Sequence, residues 1–426
     1  MSIRASELAI FLVISRGNWF RCFICSDPSL DGCINPHAMT LALASCQRRR
    51  VRPIGIADEK SYSSTAILVD LEQPLQGSEG FRMPYHDERL RLALLRQHNL
   101  YFDYERKTLK TEYSQYVDCP VCGSSQSCVV FRKDWFSFCK CKECSMVYLN
   151  PRLNELATRI FYNSDWTSLY NESKFGLDEE KLTEDDRLNL KNLEVVERLV
   201  RNKRGNLLEI GPGGRGTFLR AAKERGFRVH AVEINEDNVR SLKKILGNAV
   251  YDKELIEVGF ESNTFDIVYM RDVFEHVLNP RPLLVEINRI MRSDGILSIE
   301  VPNIEGAIYK LVRENHTVVF GFEHVNYWSP ETLRRILYLT GFTVVDMRHR
   351  SGDFRIPNLA TYSLGQLTFT SVRRRKVGLP NRLFIGLIRR AVALRTVKFF
   401  DDMLPRLANS TKRGSVLNVI ARKDAR

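Results

Sequence analysis

Three groups of residues have types and spacings that could do chemistry. The first is Cys119-Pro-Val-Cys122 followed, after 18 residues, by Cys141-Lys-Glu-Cys144. Each Cys-x-x-Cys knuckle points two thiolates at one tetrahedral metal site, and two knuckles close it. Protein fills all four positions, so such a zinc site is structural rather than catalytic. Four reduced core cysteines are the plainer alternative. Cys139 could replace Cys141 as a ligand, whereas Cys128 reads as a small spacer residue. The second group is Glu209-Ile-Gly211-Pro-Gly213-Gly-Arg-Gly216, with Glu233 about 20 residues on. Glycines let the backbone approach a ligand closely, and an acidic residue ending the next strand can accept both hydroxyls of a ribose. Dinucleotide enzymes share this geometry. Glu209, however, would repel a pyrophosphate and suits a cationic amino-acid moiety instead. The third group is Asp272-Val-Phe-Glu275-His276 together with His324. The chain has only eight histidines, and histidine is the default acid/base near neutral pH.

The elements that must position these groups follow from the pattern around them. Leu207-Leu-Glu-Ile210 reads as a short apolar strand, Thr217 to Arg225 as a helix closed by Gly226, and Arg228-Val-His-Ala-Val-Glu233 as a second strand. The order strand, glycine turn, helix, strand then repeats. That predicts an open α/β sheet with ligands at the carboxyl edge of its strands. His276 follows the fourth strand and His324 lies in the loop after the fifth, so both fall at that edge. His276 is the first acid/base candidate and His324 the second. Glu275 either orients a histidine or faces solvent. The alternative for His276 is that it caps or packs a helix starting near Val273, and Asn303 either meets substrate or shapes the turn with Pro302.

Upstream, Val129-Val-Phe and Trp135-Phe-Ser-Phe make a β-rich spacer between the knuckles, and residues 153–200 read as polar helices. Asp87 to Gln97 has helical spacing, with Leu90, Leu92, Leu94 and Leu95 on one side.

The glycine turn Glu209-Ile-Gly-Pro-Gly-Gly-Arg-Gly216 resembles motif I of the class I S-adenosylmethionine-dependent methyltransferases, and the resemblance continues in order. Ser262-Asn-Thr-Phe-Asp266-Ile-Val-Tyr looks like the family's fourth strand. Asp272 to Pro280 looks like the segment after it, and Asp294 to Asn303 like the fifth strand. Phe322 to Leu333 and Gly341-Phe-Thr-Val-Val look like the late helix and sixth strand, and Gly414 to Lys423 like the seventh. The likeness covers residues 115–350 and 413–423. It implies a Rossmann-like α/β fold: a seven-stranded methyltransferase sheet with a small N-terminal zinc ribbon and a helical insertion before the last strand.

A cysteine-knuckle ribbon ahead of this core is characteristic of a bacterial subgroup, several of whose members are implicated in methylating sugars and polysaccharide or natural-product precursors. The core is also similar to ubiquinone-biosynthesis O-methyltransferases. By resemblance, Glu209, Gly211 and Gly213 frame the methionine moiety of S-adenosylmethionine and Glu233 holds its ribose. Glu254 lies near the adenine amino group or is a solvated strand-end residue, and Asp272 joins the cofactor set. The implied cofactors are S-adenosyl-L-methionine and a structural Zn2+. The implied reaction moves a methyl group to O or C of a small acceptor. The segment Met270-Arg-Asp-Val-Phe lacks the Asn/Asp-Pro-Pro-Tyr motif of nucleic-acid amino-methyltransferases, and no Pro-Cys pair follows the strand. Both absences disfavour nucleobase methylation.

Charge divides the chain. There are 64 Lys+Arg against 51 Asp+Glu, a net +13, yet residues 351–426 hold 16 and 4 of these, a net +12, leaving +1 for the rest. A hydrophobic fraction of 44% excludes global disorder. The excess charge is local, so a nucleic-acid track over the whole protein is not expected. Asn381 to Leu407 has helical spacing with interleaved Arg389, Arg390, Arg395 and Lys398. It reads as a packed helix with a basic outer face, a lid over the acceptor, a dimer contact or a peripheral contact with an anionic membrane. No run reaches membrane-spanning length and no cleavage site follows Leu8 to Ile14, so a cytoplasmic setting is expected, with possible contact at the inner membrane face. Cys22, Cys25, Cys33 and His37 either ligate zinc or sit as free thiols in a poorly ordered extension.

The expected organisation is an N-terminal extension with a short helix (1–112), a zinc ribbon (113–152), a helical connector (153–200), the core (201–350), a basic helical insertion (351–412), and a closing strand and tail (413–426). Two other functions fit parts of the pattern: an RNA methyltransferase binding through ribbon and tail, and a non-catalytic adaptor that kept the fold.

Overall fold

The computed structural model describes residues 88–175, 183–200, 204–351 and 409–424. Cys22, Cys25, Cys33 and His37, and the basic segment 381–407, lie outside these. The first described element is helix α1 (Glu88–Tyr101), longer than the leucine spacing alone suggested. Strands β1 (Ser127–Lys133), β2 (Phe136–Cys141) and β3 (Val147–Leu149) follow as an antiparallel meander. Asp134 and Trp135, both at positive φ, turn β1 into β2, so Trp135 belongs to the hairpin tip rather than to a strand. Helices α2 (Glu155–Tyr162), α3 (Asp165–Phe175) and α4 (Glu184–Leu199) form the connector. Asn154 caps α2 by accepting from the Ala157 N–H, and Thr183 and Asp186 form a capping box at α4.

The main sheet then builds from β4 (Asn206–Ile210), β5 (Arg228–Val232), β6 (Val250–Tyr251), β7 (Phe265–Arg271), β8 (Met291–Pro302), β10 (Phe342–Arg350) and β11 (Val416–Lys423). A two-residue strand, β9 (Asn326–Tyr327), lies between β8 and β10 in the chain. The sheet order is β6-β5-β4-β7-β8-β11-β10. The first five strands run parallel, whereas β11 is antiparallel to both neighbours. Central strands such as β4 and β7 are covered on both faces, which is why they are near-continuous apolar runs rather than alternating ones.

Helices α5 (Thr217–Glu224) and α6 (Glu236–Leu246) join α4 on one face, where Leu193, Phe218, Leu219 and Leu242 pack on Leu207, Ala231, Ile267 and Tyr269. On the other face, α8 (Pro280–Ile290) and α10 (Pro330–Leu339) bury Leu284, Ile287, Leu333 and Ile336 against Val268, Met270, Leu297, Ile299 and Val419. Two short helices, α7 (Leu255–Val258) and α9 (Ala307–Val312), lie in connections. Pro280 and Pro330 start their helices, where the missing N–H costs nothing.

Two expected boundaries differ. The cysteine-bearing sheet has a fourth strand, because β9 pairs with β3 through Asn326↔Tyr148 and Tyr327↔Val147. Helix α1 is also not a separate extension. Leu90, Leu94 and Tyr101 share one core with Phe136, Phe138, Phe161, Trp166, Phe322 and Tyr327. Burial of that many large apolar side chains, each contributing roughly 1.5–3 kcal/mol, ties α1, the cysteine-bearing sheet, the connector and the loop carrying His324 into one body. Among the described residues no helix is long and apolar enough to cross a membrane.

Candidate active site and four-cysteine cluster

β4 delivers Glu209 and Ile210 to the carboxyl edge, and the chain turns through Gly211 and Gly213, both at φ +66°. A Cβ on Gly211 would lie 2.6 Å from Val273 Cγ2, so this turn packs on the segment after β7. Among the described residues nothing lies within 4 Å of a Cβ built on Gly213, so the turn opens on free space there. Glu209 is only 4% exposed, and its Oε2 has no hydrogen-bond partner among the described residues. Burial pushes its carboxyl up to about 8, with Arg271 opposing and Glu233 adding to the rise. Glu233, after β5, accepts from the backbone N–H groups of Ile234 (2.8 Å), Asn235 (2.9 Å) and Gly213 (3.2 Å). Burial raises its pKa and those donors pull it back, leaving a net rise.

Glu254 precedes α7, and its N–H donates to Glu257 Oε2 at 3.1 Å. Burial pushes its carboxyl pKa up, and the charges of Glu155 and Glu257 add to the rise. Asp272 sits at φ +54°, and its carboxylate lies 3.6 Å from Arg271.

The histidines meet at the same edge. The His276 and His324 rings lie 4.6 Å apart, nearly perpendicular at 81°. His276 Nδ1 is 2.8 Å from the Tyr162 hydroxyl, and its Nε2 is 3.8 Å from Glu275 Oε1. Glu275 is 2% exposed, so of its two sequence readings the solvent-facing one fails. Burial pushes its carboxyl well up, and Asp272, Glu300 and Glu323 add to the rise. Among the described residues no helix starts near Val273. Residues 272–279 form a turn, and the next helix is α8, so the helix that His276 would cap does not form.

Three partners hold this turn. The Glu275 carbonyl accepts from the Val325 and Asn326 N–H groups, both at 3.0 Å. Asn326 Nδ2 donates to the Val277 carbonyl at 2.7 Å, and buried Arg152 donates to the Leu278 carbonyl at 2.5 Å. Asn303 shapes the turn after β8, since its Nδ2 donates to the Gly414 carbonyl and its Oδ1 accepts from the Glu305 N–H.

The four cysteines come together as expected. Cys119 and Cys144 Sγ lie 3.4 Å apart, Cys122 and Cys141 Sγ 3.6 Å, and all four sulfurs fall within 4.8 Å of one another. Tetrahedral zinc with Zn–S near 2.3 Å needs sulfurs about 3.8 Å apart, so the residues fit that ion. Cys139 is not among them: its Sγ lies 3.6 Å from the Asn150 carbonyl.

Sequence reasoning missed two groups at the site. Tyr162, at the end of α2, bridges both halves: its hydroxyl meets His276 and its carbonyl accepts from Asn235 Nδ2 at 2.6 Å, beside Glu233. The other is an ion network. Arg271 donates to Glu300 (3.0 Å) and Asp185 (2.8 Å), and Arg350 donates to Glu300 (2.7 Å). It pins α4 to β7, β8 and β10.

Residues 185–347 match a family model described as a methyltransferase domain. Among curated proteins, a sarcosine/dimethylglycine N-methyltransferase of Aphanothece halophytica is 31% identical over 97 residues, which is 21% of this chain. The chain spans about a third (35%) of that relative's length. Among solved structures, an S-adenosylmethionine-dependent methyltransferase of Archaeoglobus fulgidus is 20% identical. The alignment covers 61% of this chain and 100% of that one, at a TM-score of 0.40. The 1,6-didemethyltoxoflavin-N1-methyltransferase of Burkholderia thailandensis is 15% identical over 70% of this chain and 99% of that one, at a TM-score of 0.38.

Proposed function

We propose that the chain is an S-adenosylmethionine-dependent methyltransferase acting at O or C of a small acceptor, a sugar or a polysaccharide or natural-product precursor. The methyltransferase-domain match over 185–347 supports an enzyme. The observation that carries the reading furthest is the pair of buried carboxyls, Glu209 and Glu233, on adjacent strand ends around a glycine turn that opens on free space. In this reading Glu209, Gly211 and Gly213 frame the cationic methionine end and Glu233 takes the ribose hydroxyls. Glu254 lies on the adenine side, and Asp272 joins the cofactor-binding set.

The cofactor supplies an activated methyl group for an in-line displacement. The protein's own task is therefore to position the acceptor and remove its proton. In the tautomer where His276 Nδ1–H donates to the Tyr162 hydroxyl, Nε2 is left to accept that proton. His324 stands beside it as the second acid/base group, with Glu275 orienting the pair. Cys119, Cys122, Cys141 and Cys144 hold a structural zinc ion that fixes the 113–152 ribbon. Calorimetry of the full chain with S-adenosylmethionine tests the reading. One-site binding that is lost in Glu233→Ala is expected. No binding by folded wild-type protein overturns it. Intact-mass detection of a methylated product from a metabolite pool would then identify the acceptor.

A further inference from the structure

Glu275, His276 and His324 offer one carboxylate oxygen and two ring nitrogens that all lie within 4.8 Å of one another. We propose that these three residues form a second divalent-cation site, chemically unlike the four-cysteine cluster, at the acceptor edge of the sheet. The inference rests on reading that edge as the acceptor site.

The donor set is an N2O face, which suits zinc, manganese or ferrous ions and leaves coordination positions open. The four-cysteine cluster, by contrast, is a closed S4 set. Donor atoms around a cation at about 2.1 Å sit roughly 3.0–3.4 Å apart, so atoms now up to 4.8 Å apart must draw in by up to about 1.4–1.8 Å. His276 Nε2 and Glu275 Oε1 are already 3.8 Å apart. Nδ1 of the same ring is held by Tyr162 at 2.8 Å, the outer contact that orients a ligating histidine and fixes which nitrogen faces the ion.

A second, independent observation is Glu275 Oε2. It is buried in a residue 2% exposed and has no hydrogen-bond partner among the described residues. A buried carboxyl oxygen left unpaired costs free energy, and a cation held by both oxygens of this carboxylate would satisfy it. Asp272, Glu300 and Glu323 add negative potential around the same carboxyl. His276 and His324 are only half-buried, which leaves an entry route.

The open positions would take two neighbouring oxygens of an acceptor, such as a hydroxyl beside a second hydroxyl or a carbonyl. The cation would lower the pKa of the hydroxyl to be methylated. In the cation-loaded protein both rings are ligands, so that proton leaves to solvent water, and His276 serves as base only in the cation-free protein. The site thereby selects acceptors able to chelate over those with a single isolated oxygen.

Full-length protein, zinc-loaded at the cysteines and stripped by dialysis of weakly held metal, is titrated with MnCl2, with free Mn2+ followed by electron paramagnetic resonance. Manganese favours oxygen and nitrogen donors and competes poorly for four thiolates. One saturable equivalent of Mn2+ per chain is expected. Its affinity should fall at least tenfold in Glu275→Gln and again in His324→Asn, with the zinc content of each variant reporting that it is folded. No saturable uptake by the wild type, or uptake unchanged in both variants, overturns the proposal. S-adenosylmethionine binding is measured on the same wild-type sample. Cofactor binding without Mn2+ uptake sinks the cation site alone. Mn2+ uptake without cofactor binding keeps the cation site and sinks the methyl-transfer reading.

Discussion

Replacing Glu209 with Gln separates what this carboxyl does for folding from what it does for binding. The group is 4% exposed, has an unpaired Oε2, and is pushed by burial from 4.5 up to about 8. A carboxyl whose folded pKa is raised disfavours the fold once the unfolded chain ionises. Below about pH 4.5 both states carry the proton, and the wild type and Glu209→Gln should be equally stable. As pH rises from 4.5 to 8 only the unfolded state ionises, so wild-type stability falls relative to the variant by up to about 1.4 kcal/mol per unit. Above pH 8 the gap is constant, on the order of 5 kcal/mol in favour of the variant.

A cationic ligand reverses the order. It stabilises the ionised carboxyl, so S-adenosylmethionine should protect the wild type and fail to protect the variant. Cofactor affinity of the wild type should also weaken as pH falls below 8, where binding must first release a proton. The assay is urea unfolding at several pH values between 5 and 8.5, with and without cofactor. A stability gap that stays flat over this range, or a variant that binds the cofactor with unchanged affinity, would refute the reasoning.

Other substitutions reach different parts of the site. Glu233→Ala should lower cofactor affinity by about a hundredfold or more by calorimetry, since two hydrogen bonds to a charged acceptor contribute roughly 1.5–3 kcal/mol each. Tyr162→Phe should cut kcat by about 3–10-fold, the worth of one hydrogen bond, and shift the limb of the pH–rate profile set by His276 with little change in KM for the cofactor. Cys144→Ser should lower the metal content per chain and speed amide exchange at residues 147–149 and 326–327, because these strands pair across the cysteine-bearing sheet. Gly211→Val should abolish soluble expression or cofactor binding. It combines φ +66° with a Cβ that meets Val273 at 2.6 Å.

The glycine turn, its two carboxylates, the strand sequence around them and the four cysteines could be read from sequence because each is local. Apolar runs such as Leu207-Leu-Glu-Ile210 are short, bounded by glycine and repeated, and the paired knuckles restrict the metal geometry by spacing alone. What was missed is non-local. Tyr162 stands 114 positions before its partner His276, and nothing in α2 marks one tyrosine over another. The Arg271–Glu300–Arg350 network joins three strands whose charged residues look like ordinary strand ends in sequence. β9 is two residues long, too short for alternation to show. The helix expected near Val273 does not form. Asp272 adopts a left-handed conformation, and the Glu275 carbonyl is taken by the Val325 and Asn326 N–H groups instead of by a helical turn.

The last strand has a consequence for how the molecule comes into being. β11 lies between β8 and β10 and buries Leu417, Val419, Ile420 and Ala421. During synthesis, β8 and β10 therefore have no common partner until residues 416–423 are made, and the sheet cannot close on a nascent chain. Two unpaired strand edges stay exposed for that interval, which is where aggregation begins. A stop codon just before Val416 would leave an open sheet and a polypeptide that quality control degrades.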